Sequence, residues 1–453
     1  MQGYGAKKDA YGGAVMAYKL SESVFYRLYG NQTTLYDTLI RKVYIFNETV
    51  KDLLDCFVET AEVAEVISKL KTLYDCADIP SFEEDLNNFI SQLAELKILR
   101  EAFKHKQVYD SLVGAIANNM IASGTLYSAM LELCFRCNES CRHCYVVENK
   151  NAELTTSEVF KVLDELYRLN VLEITFTGGE VFLREDFGEI LDYAYKKRFC
   201  INIFTNATLI SDSDLIKLAS LHIKSLSVSL YSHIPKKHDY ITRLKGSFEK
   251  TMNAMRKALA LGLSVNIKST IMDYTKDDVS GLLDIAESLG ATIQVAVTVN
   301  PKDDGNLSPL DLRIKTEEDY KKVIKTAVGK MEFCAGIAGD FKNTSGNQIC
   351  GAGHSMVCIA PDGEVYPCNA LRISLGNIKN EALENIWQKS PELLKWRKAT
   401  LHDLSECKDC ELLEKLGVCS FCPGSALQEK GSPFAKYDEA CKMTAIRGQL
   451  AKS

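Results

Sequence analysis

Residues 137–144 read CNESCRHC, three cysteines in a C-x3-C-x2-C pattern, with His143 among them and Cys134 just upstream. So many soft ligands on one short loop commit the chain to a metal centre, because a closed structural zinc or iron–sulfur site takes four protein ligands. Three cysteines can instead hold three irons of a [4Fe–4S] cube and leave the fourth iron open, which is what a catalytic site requires. On the loop alone, a zinc knuckle completed by His143 or Cys134 competes with that reading.

The wider chain favours a reducing environment. Its 16 cysteines fall mainly into two groups, 134–144 and 334–441. Disulfides would explain them in an exported protein, but the N-terminal MQGYGAKKDAYGG lacks the apolar core of a signal peptide. No apolar run approaches the roughly 18–20 residues that span a bilayer. The net charge, 54 − 60 = −6, favours neither nucleic acid nor an anionic membrane. The expectation is a cytoplasmic, metal-binding protein that binds no nucleic acid and no membrane.

At 453 residues the chain is too long for one core. SVFYRL, TTLYDTLI and RKVYIFNE read as strands; TVKDLLDCFV, TAEVAEVISKLKTLYD and SFEEDLNNFISQLAELKIL read as helices, the last capped by Ser81. This small sheet followed by three helices has a winged-helix look. Residues 16–105 carry 10 Lys/Arg against 15 Asp/Glu, however, which argues against phosphate binding. From 127 onward, six strand-like runs alternate with amphipathic helices: SAMLELCF, VLEITFTGG, CINIFTNA, SLSVSLYS, LSVNIKSTIM and ATIQVAVTV. Alternation of this kind gives a parallel sheet, and six units give a partial barrel with ligands at its strand ends. The cysteine-rich remainder has little long periodicity, so metal replaces part of its core.

The second barrel strand ends Thr177-Gly178-Gly179-Glu180, with glycines that let backbone approach a ligand and an acid that can bind an amine. Together, CNESCRHCY and TGGE resemble the radical S-adenosylmethionine (SAM) enzymes over the whole barrel. The resemblance implies that Cys137, Cys141 and Cys144 hold the catalytic cluster and that SAM chelates its open iron. It further implies that Gly178, Gly179 and Glu180 meet the SAM amino group, and that His143 lies near the adenine through its backbone. Asn206 in FTNAT and Ser229 in SVSLYS match strand-end SAM contacts, although the family more often has TNG where this chain has Ala207. Arg243 or Lys245 is positioned to neutralise the SAM carboxylate. Cys134 falls in the strand and reads as a small buried hydrophobe.

The C-terminal cysteines resemble the SPASM extension of these enzymes. Twelve residues separate Cys350 from Gly363 and four separate Gly363 from Cys368, as in the family. The second half departs from it, with eight residues before Cys419 and two before Cys422. The resemblance implies one auxiliary [4Fe–4S] cluster on Cys350, Cys368 and Cys422, with Cys334 as the candidate fourth ligand, and another on Cys407, Cys410, Cys419 and Cys441. Zinc is the alternative for the four-cysteine set. Cys358, in a strand-like VCIAPDG, reads as packing.

The N-terminal segment resembles in spacing and apolar pattern the PqqD-like recognition element of ribosomal peptide maturases, in which a leader peptide adds a strand to the small sheet. The resulting expectation is an α/β chain divided as follows: 1–15 tail; 16–105 PqqD-like, winged-helix-like α+β recognition domain; 106–126 linker; 127–325 partial (β/α)6 TIM-type radical SAM barrel; 326–445 SPASM domain; 446–453 tail. The expected activity is radical SAM maturation of a precursor peptide, installing Cys thioether links as in sactipeptide and ranthipeptide maturases. SAM, three [4Fe–4S] clusters and an external flavodoxin- or ferredoxin-like reductant are implied. Carbon–carbon cross-linking, epimerisation and maturation of a protein partner are the enzymatic alternatives; a zinc-bound peptide adaptor is the non-enzymatic one.

Overall fold

The computed structural model describes residues 17–58, 61–74, 79, 81–100, 125–147, 152–330, 349–400, 403–404, 406–407, 409–412 and 419–450. It divides into two compact units, one ending at Gly114 and one beginning at Ala115.

The first unit begins with β1 (Ala17–Leu20) and an antiparallel meander of β2 (Val24–Tyr29), β3 (Gln32–Asp37) and β4 (Lys42–Asn47). Helices α1 (Thr49–Cys56), α2 (Val63–Tyr74) and α3 (Phe82–Glu95) follow the meander. Two short strands, β5 (Ala61–Glu62) and β6 (Leu99–Arg100), flank β1, a second small sheet that the strand patterns do not announce. Leu35, Leu54, Phe57, Ile90 and Leu93 form the buried centre of this unit's core. Ser81 does not cap α3: its backbone is already right-handed helical and its side chain accepts no cap bond. The chain enters that helix through a turn closed by the Phe82 amide on the Ile79 carbonyl instead.

The second unit holds six parallel strands in chain order: β7 (Ser128–Glu132), β8 (Glu173–Thr177), β9 (Cys200–Thr205), β10 (Ser225–Ser229), β11 (Val265–Thr270) and β12 (Thr292–Ala296). The covering helices are α4 (Thr156–Arg168), α5 (Phe187–Lys196), α6 (Asp212–Ser220), α7 (Pro235–Thr242), α8 (Ser247–Ala260), α9 (Val279–Leu289) and α10 (Glu317–Lys330). Capping boxes fix two of the starts, Thr155 with Glu158 and Ser211 with Asp214, each satisfying orphan amide groups of the first turn. Val159, Leu163 and Leu166 of α4 share one helix face and are buried, as their spacing requires.

The sheet does not stop at six strands. β13 (Met356–Ile359) pairs in parallel with β7, and β14 (Glu364–Tyr366) and β15 (Gly376–Asn377) continue it antiparallel, giving nine strands. The cysteine-rich region therefore grows from the first barrel strand. Short helices α11 (Leu383–Lys389), α12 (Pro391–Lys398), α13 (Pro423–Lys430) and α14 (Asp438–Leu450) complete it. The tail expected from 446 is in fact helical to Leu450, with Ile446 fully buried. The linker expected at 106–126 and Cys334 lie almost wholly and wholly, respectively, outside the described residues. Among the described residues no helix is long and apolar enough to cross a membrane.

Candidate functional site

β7 delivers the chain to the three-cysteine loop at the C-terminal edge of the sheet. Cys134 is fully buried just past the strand, and its thiol donates to the Glu180 carbonyl at 3.2 Å. Burial pushes that thiol up to about 11, so it stays neutral and packs as a small hydrophobe.

Cys137, Cys141 and Cys144 follow on the loop. Burial is the main force raising each thiol, and neighbouring cysteines add to the rise at Cys137 and Cys141. Thiolates that repel one another ionise together only around a cationic centre. Glu139, buried between them, accepts from the Cys141 thiol at 3.2 Å, and burial holds its carboxyl up at about 7. The sequence reading passed over this acid, which looks like a solvated loop residue.

Gly178 and Gly179 press against the entry to this loop, not against open space. A Cβ on Gly178 would stand 2.5 Å from the Cys134 carbonyl oxygen; one on Gly179 would stand 2.1 Å from that of Arg136. The Gly179 amide donates to Cys134 O and the Glu180 amide to Arg136 O. Glu180 is buried, and its carboxylate accepts from the Phe182 amide (3.2 Å), the Thr205 hydroxyl (2.8 Å) and the Asn206 amide (2.8 Å). Burial raises its pKa while these donors oppose the rise. One of roughly four acceptor positions on a carboxylate remains for a ligand amine.

The Asn206 side chain is tied to the cysteine loop, donating to Asn138 Oδ1 at 2.9 Å and lying 3.8 Å from Cys137 Sγ. Ala207 adopts φ +61°, the left-handed conformation that suits the glycine usual here in the family. Ser229 closes β10 and hydrogen-bonds with Tyr231. The buried His143 ring meets Tyr231 edge-on at 4.5 Å and is held neutral, its pKa pushed down to about 4 by burial. Arg243 and Lys245 are exposed on the turn after α7.

A half-buried ion network, also unread from the sequence, stands beside this loop. Arg372 binds Glu132, the last residue of β7, through two hydrogen bonds of 2.7 and 2.9 Å, and Asp303 at 3.1 Å. The Asp303 amide in turn donates to the carbonyl of Tyr145, the residue after Cys144.

The other cysteines gather in two places. Cys350, Cys368 and Cys422 lie close enough for their charges to interact. Cys407, Cys410, Cys419 and Cys441 line one apolar cavity with Leu404 and Phe421. Cys358 is fully buried in β13, as its pattern implied. Among the described residues no three His, Cys, Asp or Glu stand tightly enough for a single metal ion. A cube spreads its thiolates more widely than one zinc does, so the donor sets fit clusters.

Comparison with known proteins agrees with this geometry. Residues 131–289 match the model of the Radical SAM superfamily, and residues 350–411 match SPASM, an iron–sulfur cluster-binding domain. The chain is 31% identical over 323 residues to the antilisterial bacteriocin subtilosin biosynthesis protein AlbA of Bacillus subtilis, covering 68% of each chain. It is 27% identical over 393 residues to the sporulation killing factor maturation protein SkfB of the same organism, covering 84% of this chain and 89% of that one. Among solved structures, Streptococcus suis SuiB bound to precursor peptide SuiA shares the fold, with a TM-score of 0.59 at 16% identity over 94% of this chain and 99% of that one. A three-cysteine loop locked to a GGE strand, a parallel sheet extended by a cysteine-rich region, and a relative of this similarity lead to one statement: the chain is an iron–sulfur, SAM-binding enzyme that belongs to the radical SAM superfamily and carries a SPASM domain.

Proposed function

We propose that the protein is a maturase of a ribosomally made precursor peptide, and that it installs thioether links from cysteine. The observation that carries the reading is the coexistence of an open-type three-cysteine site with two further cysteine sets in one chain. Cys137, Cys141 and Cys144 would hold the catalytic cluster, with Gly178, Gly179, Glu180, Asn206, Ser229 and the His143 backbone around SAM. Held there and supplied with one electron by an external carrier, such a cluster would provide reductive cleavage of SAM and, through it, hydrogen abstraction from the substrate. Cys407, Cys410, Cys419 and Cys441 would hold one auxiliary cluster. Cys350, Cys368 and Cys422 would hold the other, with Cys334 as fourth ligand or with an iron left for a peptide thiolate. Three [4Fe–4S] clusters result.

The residues of the chain support this chemistry by positioning. Glu180 offers an acceptor for the SAM amine while its other bonds fix the loop. The biosynthesis protein AlbA and the maturation protein SkfB, named for a bacteriocin and a killing factor, support a peptide substrate. The N-terminal unit is read as the PqqD-like leader-binding element. Among the described residues no strand pairs with the outer side of β4, the edge a peptide strand would join, and Phe46 of that strand packs edge-on against Phe89 of α3 at 5.8 Å.

The test is anaerobic incubation of the reconstituted enzyme with SAM, reductant and a short cysteine-rich precursor peptide from the same locus. The expected product is lighter by two hydrogens per link, has lost alkylatable thiol, and forms only when the leader is present. Unchanged mass with an inverted residue would replace thioether formation by epimerisation. Lost hydrogens with every thiol still alkylatable would replace it by carbon–carbon cross-linking.

A further inference from the structure

One face of the three-cysteine loop is covered by the end of α7. The Ser140 amide donates to the Thr242 carbonyl at 3.2 Å and the Arg142 amide to that of Ile241 at 2.9 Å. Arg142 follows Cys141 directly and lays its guanidinium on Tyr240. Its Nε donates to the Tyr240 carbonyl at 3.0 Å, and the group lies 3.8 Å from the centre of the ring. The Tyr240 ring is 4.9 Å from that of Tyr274, and Lys237 Nζ stands 5.4 Å from the centre of the Tyr274 ring. The two tyrosines are 46% and 49% exposed. A row of cation, ring, ring and cation thus runs over the surface from α7 to the cysteine loop.

The charge of this face is opposite to that of the chain. Residues 234–245, IPKKHDYITRLK, carry Lys236, Lys237, Arg243 and Lys245 against Asp239, in a protein of net charge −6. The acids of α7 and of the segment around Tyr274 are already engaged. Asp239 accepts from the Gly246 and Phe248 amides and the Ser247 hydroxyl. Asp273 pairs with Lys276, Asp277 with Lys322, and Asp278 with Lys237. Lys236, Arg243 and Lys245 are exposed, and among the described residues none of them forms an ion pair. Arg243 also keeps a left-handed backbone, φ +57°, where a glycine would sit without strain. Exposed aromatics beside an arginine have the make-up of a docking surface, since Tyr and Arg supply most binding anchors. Unpaired cations around them steer an acidic partner.

We propose that this face, centred on Tyr240 and Tyr274 and rimmed by Lys236, Arg243 and Lys245, is the docking surface for a small acidic protein that carries one electron. The inference rests on the radical SAM reading, which requires an electron from outside; the place of its entry follows from the contacts above. A carrier seated on Tyr240 meets Arg142, the neighbour of Cys141. The peptide substrate must reach the SAM surroundings at the strand ends, whereas an electron needs only to come near the cluster.

The experiment uses the full-length, cluster-loaded protein and an acidic bacterial flavodoxin. Calorimetric titration reads flavodoxin affinity without turnover. SAM cleavage driven by reduced flavodoxin, divided by cleavage driven by dithionite in the same preparation, reads delivery of the electron. K236E/R243E/K245E should weaken flavodoxin binding at least about tenfold at about 0.05 M salt and lower the ratio with it. Wild-type affinity should fall as salt rises, and Y274S should lower affinity and ratio with the rim charges intact. A flavodoxin whose surface glutamates are changed to lysine should prefer the triple variant over wild type, a reversal that misfolding cannot produce. Unchanged affinity and ratio in the triple variant overturn the proposal, as does a loss confined to precursor-peptide binding. Single K236E and K245E, both at exposed positions, carry the same test if the triple variant loses iron. Wild type that cleaves no SAM even with dithionite would be a failure of the radical SAM reading, and the binding titration still decides the surface.

Discussion

The amide of Gly179 donates to the carbonyl of Cys134 at 2.8 Å, joining the end of one strand to the segment that launches the cysteine loop from the next. Contact this close needs a residue without a side chain, since a Cβ at 179 would fall 2.1 Å from Arg136 O and 2.8 Å from Phe135 O. The glycines of the GGE motif thus shape the protein before any ligand arrives. Gly179→Ala must push the loop outward. We expect reconstituted G179A to lose most of the roughly four irons of one cube while keeping its auxiliary iron, and SAM cleavage to fall with the loss. Full iron with normal cleavage would show that the loop yields without cost.

Ala207 is the converse case, a residue with a Cβ in a left-handed conformation. Ala207→Gly relieves that strain but gives the unfolded chain more freedom, so the gain is a net one. It should stabilise by about 0.5–1 kcal/mol, read as a rise of roughly 1–3 °C in the melting temperature of the second unit. Because Ala207 is buried and a glycine opens a small void, a drop in melting temperature would mean that packing of the methyl outweighs strain.

The grouping of the cysteines along the chain was legible in the sequence because spacing on a loop is local information. Partners set by tertiary approach were not. Glu180 finds Thr205 and Asn206 only once β8 and β9 lie side by side. Arg372 reaches Glu132 across 240 positions of chain. The parallel join of β13 to β7 was missed for the same reason: a short apolar run gives no sign of its partner. Ser81 has the right residue type for a cap, and the turn before it decided otherwise.

Asp303 provides the pH prediction. Burial raises its carboxyl to about 6 although the Arg372 cation opposes the rise, since that guanidinium is already shared with Glu132. A carboxyl whose pKa is raised on folding favours the folded state in its protonated form. Its ionisation therefore costs stability as pH climbs from its ordinary value near 3.8 through about 6. Asp303→Asn removes this dependence. Thermal unfolding of both proteins between about pH 5 and 7.5 should show wild type losing ground to D303N as pH rises, with the difference level above neutrality. A constant difference across the range would mean that the carboxylate is ionised throughout and fully paid for by Arg372.

The auxiliary sets can be counted separately. Cys441→Ser opens the cavity shared with Cys407, Cys410 and Cys419, so about four irons per chain should be lost while the other two centres survive. Cys368→Ser should remove a different set of about four. Cys358→Ala should remove none, because that thiol is fully buried in the packing of β13. Stoichiometric zinc in wild type that disappears with C441S would reassign the four-cysteine site to a structural zinc.

The two compact units divide the work if the peptide reading holds. A protein starting at Ala115 retains every cysteine of the three sets and the whole nine-stranded sheet. Among the described residues its hydrophobic cluster is made of its own residues, so it should load iron and cleave SAM in the presence of reductant at close to the full-length rate. Processing of a leader-bearing peptide should fall by at least about tenfold, since an extended strand docked on a sheet edge supplies its affinity largely through backbone pairing. Adding the separate N-terminal unit should recover little, because tethering supplies an effective concentration that free domains lack. Equal processing with and without the N-terminal unit would remove it from leader recognition and leave it a regulatory or dimerisation role.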